Sequence, residues 1–152
     1  MEFSQFAQSR RSARGFLDKP VPRSVVDELL ETAKWAPSSY TTQTWRVHAV
    51  TGDVLDRIRK GNTENTLAGK PRVRDFPYKE EYEGIHRQRQ IDVAIQLFEA
   101  MGIERDDKET RMDWMWRGFR QSDAPVSLVL TYNKYLEPAA ISQFSLGSLA
   151  YG

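Results

Sequence analysis

An α+β fold is what this 152-residue sequence predicts, and three observations carry the expectation. Apolar residues recur at helical spacing in two well-separated stretches, two shorter runs read as strands, and the elements neither alternate regularly nor segregate by type. One domain is expected over residues 1–152, because the length suits a single core. No internal repeat, low-complexity tract or Gly/Ser linker divides it.

The elements follow in chain order. Ser24 with Asp27 three residues on has the form of a capping box, and Val25, Val26, Leu29, Leu30 and Ala33 repeat at helical spacing behind it, predicting a helix that ends near Ala36-Pro37. After the polar stretch Ser38–Thr44, Trp45, Val47 and Ala49 alternate with Arg46, His48 and Val50 up to Gly52, predicting a strand. Val54, Leu55 and Ile58 predict a short helix over Asp53–Lys60. Gly61–Glu83 is polar, carries Pro71 and Pro77, and reads as a long excursion. Ile91, Ala94, Leu97, Phe98 and Met101 form an apolar stripe stopped by Gly102, and a further helix is expected over Asp106–Trp116. The run Val126–Thr131 predicts a second strand, buried because both of its faces carry apolar residues. Residues 133–152 fit a helix start no better than a loop. Two strands make too small a sheet to stand alone in water, so further sequence or another chain is expected to complete it.

Composition excludes several classes of function. Lys+Arg 22 against Asp+Glu 21 leaves a net charge of +1, too little field to gather nucleic acid or an anionic membrane. No apolar run reaches the roughly 18 residues of a membrane span and no secretory leader is evident, so a cytoplasmic location is expected. Without cysteine there is no disulfide, thiolate metal site or thiol nucleophile, and any redox chemistry must come from a cofactor.

Two segments carry chemistry. Arg10-Arg11-Ser12-Ala13-Arg14 sets three guanidinium groups around a hydroxyl, a pattern able to converge on a phosphate monoester through charge-assisted hydrogen bonds. The same residues also describe a solvated basic segment, and spacing alone leaves both open. Pro37-Ser38-Ser39-Tyr40-Thr41-Thr42-Gln43-Thr44 is a helix-to-strand connector dense in short polar side chains that can hydrogen-bond the edge of a heterocycle, or simply form turns.

Taken together, Arg-Arg-Ser-x-Arg-x-Phe and Ala-Pro-Ser-Ser-x-x-x-Gln-x-Trp one helix later resemble the opening of the FMN-dependent nitroreductase family. Phe76-Pro77-Tyr78 with Tyr82 and Arg87, the run Leu97–Asp107, and Ala124-Pro125-Val126 resemble its nitrobenzoate-reductase-like branch. The resemblance implies a central, mainly antiparallel sheet flanked by helices in an intertwined homodimer, with FMN at the subunit interface. It also implies NAD(P)H as co-substrate and a nitroaromatic, quinone-like or other conjugated acceptor, using the same face in turn by a ping-pong mechanism. Carried over by residue, Arg10, Arg11, Ser12 and Arg14 would hold the phosphate, ribityl chain and pyrimidine end of FMN from one subunit. Pro37, Ser38, Ser39, Thr41 and Gln43 would approach from the partner. The flavin would carry the chemistry, so no catalytic side chain and no metal ligand are expected.

Two positions depart from the family pattern: Thr41 stands where the family usually has Asn, and Thr44 where it usually has Pro. The resemblance also implies that at Leu149-Ala150-Tyr151-Gly152 the family would continue into a long core helix, a glycine-rich turn, a further strand and more flavin ligands. A non-catalytic shortened paralogue that keeps dimerisation surfaces is therefore the competing expectation, and a phosphate-binding module without redox work is a third. His48, His86, Trp114, Trp116 and the cluster Glu80, Glu81, Glu83 are expected to be structural or solvated.

Overall fold

The computed structural model describes residues 2–71, 73–74, 81–136 and 139–151. The chain forms two compact units, one from residues 1–58 with 122–152 and the other from 59–121. In sequence, the second unit lies within the segment between the two strands of the first.

In the first unit, helix α1 (Phe3–Ser9) starts behind a Glu2–Gln5 capping box that the sequence reading did not anticipate. Helix α2 (Arg23–Ala33) begins at Pro22, a residue ahead of Arg23. Ser24 therefore sits inside the first turn, where it cannot cap, and the expected Ser24–Asp27 box does not form. Asp27 instead accepts from Arg23 Nε at 3.3 Å. Strand β1 (Trp45–Thr51) pairs antiparallel with β2 (Val126–Tyr132) in a register running from Trp45 opposite Tyr132 to Thr51 opposite Val126. Among the described residues these two make the whole sheet.

The burial expected of β2 is not seen: Leu128 is 37% and Val129 42% exposed. Neighbouring residues of a strand point to opposite faces, so both faces of this ribbon keep accessible apolar surface. A two-stranded ribbon offers each strand one neighbour, and the helix that packs on it leaves much of it uncovered.

That helix is α6 (Ala139–Tyr151), in the segment where the sequence favoured neither helix nor loop. It touches α2, both strands and the turn at Ser39–Thr41. Leu149, Ser142 and Ser145 are buried there, and Ala33, Leu55 and Ala124 complete the buried set among the described residues. Leu55, 1% exposed, contributes about 2 kcal/mol by removal from water. It lies on α3 (Gly52–Leu67), which starts on a left-handed Gly52 with φ +52° and continues well past the expected end at Lys60. The supposed excursion thus begins only after Leu67.

Within the second unit, the polar residues that hid the rest of α3 have partners. Asn62 donates its side-chain amide to the Phe119 carbonyl at 3.1 Å, and Arg59 Nε donates to the Arg120 carbonyl at 2.9 Å. Helix α4 (Gly84–Ala100) starts earlier than its apolar stripe and ends as predicted at Gly102, whose φ is +64°. Ile103 N–H donates to the Phe98 carbonyl and Gly102 N–H to that of Glu99, the paired bonds of a Schellman ending. Helix α5 (Lys108–Trp116) is capped by Asp107, which accepts from the Thr110 backbone N–H at 3.0 Å. Hydrogen bonding from Thr110, side chain first and backbone second, holds the Asp107 carboxyl below its ordinary 3.8. Arg111 lies over the Phe98 ring at 4.5 Å and Arg117 over Trp114 at 5.3 Å.

Phe76-Pro77-Tyr78 and Glu80 lie outside the described residues. No described helix is long and apolar enough to cross a membrane, and no group of three or more metal-ligating side chains occurs among the described residues.

Candidate functional site

The connector between α2 and β1 is held in a shape that most side chains avoid. Tyr40, Thr41 and Gln43 have φ of +50°, +57° and +44°, each costing roughly 1 kcal/mol or more relative to ordinary backbone. Local bonds maintain the shape: Thr41 N–H donates to the Ser38 carbonyl, Thr42 N–H and its hydroxyl both donate to the Ser39 carbonyl, and Gln43 N–H donates to Ser38 Oγ at 3.0 Å. Tyr40 is thrown outward, 98% exposed. Backbone held against its preference by several bonds is a feature of ligand-gripping loops.

Pro37, Ser38 and Ser39 line an open concavity of about 470 Å³ whose other wall is Ile141, Phe144 and Ser145 of α6. These three were not expected at the site, because the mainly apolar α6 gives no periodic signal in the sequence. A signal was available in Ser142, Ser145 and Ser148, hydroxyls spaced three residues apart. Thr41 and Gln43 belong to the same loop but not to the wall of the concavity.

Arg10, Arg11, Ser12 and Arg14 follow α1 in irregular, exposed backbone. Arg10 Nη1 donates to Ser12 Oγ at 3.3 Å, and Arg11 Nη1 donates to the carbonyls of Gln8 and Arg10. None of the three arginines has a carboxylate partner among the described ion pairs. The cations do not line the Pro37–Ser39 concavity. His48, exposed on β1, lies 3.1 Å from Thr131 Oγ1.

Thr41 and Thr44 gain meaning from this geometry. A β-branched residue is poorly suited to the left-handed backbone at position 41, whereas Asn tolerates it. Thr44 has a buried hydroxyl with no hydrogen-bond partner among the described residues. The residue before a proline is pushed to extended backbone, so the left-handed Gln43 accords with Thr rather than Pro at 44.

The model of the Nitroreductase family matches residues 7–147. The chain is 39% identical over 139 residues to nitrobenzene nitroreductase of Ectopseudomonas oleovorans and 37% identical over 136 residues to chloronitrobenzene nitroreductase of Comamonas testosteroni, in each case covering 88% of this chain and 60% of the relative. The chain thus spans about 60% of the length of these curated relatives. The crystal structure of the FMN and NADPH-dependent nitroreductase NfnB from sphigopyxis sp. strain HMH superposes with a TM-score of 0.85 at 26% identity, over 99% of this chain and 68% of that one. On the family model, the relatives and the shared fold together, this chain belongs to the nitroreductase family.

Proposed function

We propose that this protein is an FMN-dependent oxidoreductase that takes electrons from NAD(P)H and passes them to nitroaromatic, quinone-like or other conjugated acceptors in a ping-pong sequence. The observation that carries the reading is the strained, hydroxyl-rich loop Pro37–Gln43 beside an apolar wall, in a chain that also bears three guanidinium groups without carboxylate partners among the described residues. The relatives support it, since NfnB is described as FMN- and NADPH-dependent and two others as reductases of nitrobenzenes.

The residues fit the cofactor. FMN joins a dianionic phosphate to a flat, hydrogen-bonding ring, and the chain offers a binder for each. Arg10, Arg11 and Ser12 supply cationic and neutral donors for the phosphate. Arg14 would supply positive charge to the pyrimidine end, where negative charge develops on reduction. Pro37, Ser38, Ser39, Thr41 and Gln43 would approach the ring from a loop whose shape is set by the bonds to Ser38 and Ser39. When bound, FMN supplies the electron transfer, while the protein binds, orients and excludes water. Because the arginines do not line the loop's concavity, the two sets are read as halves of a site completed across a homodimer, with residues 1–152 forming one domain of each subunit.

The test is the visible spectrum of the chain purified with added FMN, then exposed to NADPH without oxygen. A retained flavin band that bleaches is the expected result. A colourless protein overturns the reading in favour of a non-catalytic one.

A further inference from the structure

Ser145 is 1% exposed on α6, one of the least accessible residues in the first unit. A hydroxyl so placed needs partners, and it has two. It donates to the Ile141 carbonyl one turn earlier at 3.1 Å, and it accepts from the backbone N–H of Ser39 at a long 3.5 Å, across 106 residues of sequence. The donation to Ile141 fixes the hydroxyl's direction and leaves its oxygen lone pair facing the loop. Every other described side-chain bond of the loop is made within residues 38–43. The loop therefore shapes itself, and among the described hydrogen bonds the one to Ser145 ties it to another element, beside the apolar wall of Ile141 and Phe144.

Ser39 leads directly into the left-handed residues Tyr40 and Thr41. Its N–H belongs to the first residue of that turn, and its carbonyl receives both donors of Thr42. Anchoring the N–H therefore sets where the whole turn stands, including the Ser38 and Ser39 edge of the concavity.

We infer that Ser145 is a positioning residue. Its hydroxyl pins the backbone of Ser39 to α6 and so holds the Pro37–Gln43 loop in the geometry that grips the ligand. The ligand part of this inference rests on the flavin reading above, whereas the loop part does not. Removing the hydroxyl exchanges a fixed anchor for a half-buried N–H without a partner, which opening of the loop toward water would relieve.

The test compares Ser145→Ala with Ser148→Ala in the full chain. Ser148 makes the same kind of bond to the carbonyl four residues earlier, Phe144, but has no described bond to the loop, so it reports what loss of a helix hydroxyl does by itself. Amide hydrogen exchange is read at Ser39, Thr41 and Gln43 without FMN, and FMN affinity by quenching of flavin fluorescence. In Ser145→Ala, exchange at Ser39 is expected to rise about tenfold and FMN affinity to fall about tenfold, with little change in either for Ser148→Ala. A lowered melting temperature with unchanged exchange at Ser39 would overturn the inference, leaving Ser145 with packing alone. Faster exchange with unchanged FMN affinity would overturn its ligand half. If the unmutated chain binds no FMN, the flavin reading fails and takes the ligand half with it, while exchange still decides whether Ser145 holds the loop.

Discussion

The backbone N–H of Gln43 donates to Ser38 Oγ at 3.0 Å, tying the two ends of the candidate loop together. Ser38→Ala removes the acceptor and frees the three left-handed residues to relax toward ordinary backbone. FMN affinity is expected to fall about tenfold, measured by fluorescence titration, since one neutral hydrogen bond is worth about 1 kcal/mol.

The two departures from the family pattern respond in opposite directions. Thr41→Asn places a residue tolerant of left-handed backbone at φ +57° and should stabilise the chain by about 0.5–1 kcal/mol in urea denaturation. Thr44→Val removes a buried hydroxyl that has no partner among the described residues and should stabilise it by about 1 kcal/mol. Thr44→Pro should instead destabilise it, because Gln43 cannot keep φ +44° in front of a proline.

Arg14 is exposed, and no described hydrogen bond or ion pair holds its side chain. Arg14→Ala should leave the melting temperature within about a degree, since surface changes away from special features have small effects. Flavin retained through gel filtration should drop about tenfold or more with loss of a charge-assisted contact. Unchanged retention would remove Arg14 from the site.

Gly102 ends α4 at φ +64°, and a Cβ there would meet nothing within 4 Å. Gly102→Ala therefore costs backbone strain alone, about 1 kcal/mol in a thermal or urea transition. A larger loss would show that Gly102 is packed against something in the assembled protein.

The Asp107 cap carries a pH signature. A carboxyl held below its ordinary value contributes stability above that value and loses it as pH falls through the lower folded one. Asp107→Ala should thus lower the melting temperature near neutral pH, and its gap from the unmutated chain should close as pH drops below about 3.8.

Local rules were legible in the sequence where local physics decides. The alternation through Trp45–Val50 and the stop at Gly102 both appear where expected, because strand pleat and left-handed helix ends are written in neighbouring residues. The α+β class and the family resemblance were legible for the same reason. Polar Asn62 and Thr66 concealed the second half of α3, since their acceptance depends on partners such as the distant Phe119 carbonyl. The Ser24–Asp27 pattern misled, because one residue of shift at Pro22 turns a cap into a first-turn position.

By itself the sequence determined which residue types are on offer as candidates for binding: the Arg10–Arg14 cations and the hydroxyls of Pro37–Gln43. Only the tertiary structure decided that the loop turns left-handed and that α6 forms the facing wall, with Ser145 reaching Ser39. Residue type and spacing set what a group can donate or accept. Which groups meet across 106 residues is set by packing, and packing is a property of the folded whole.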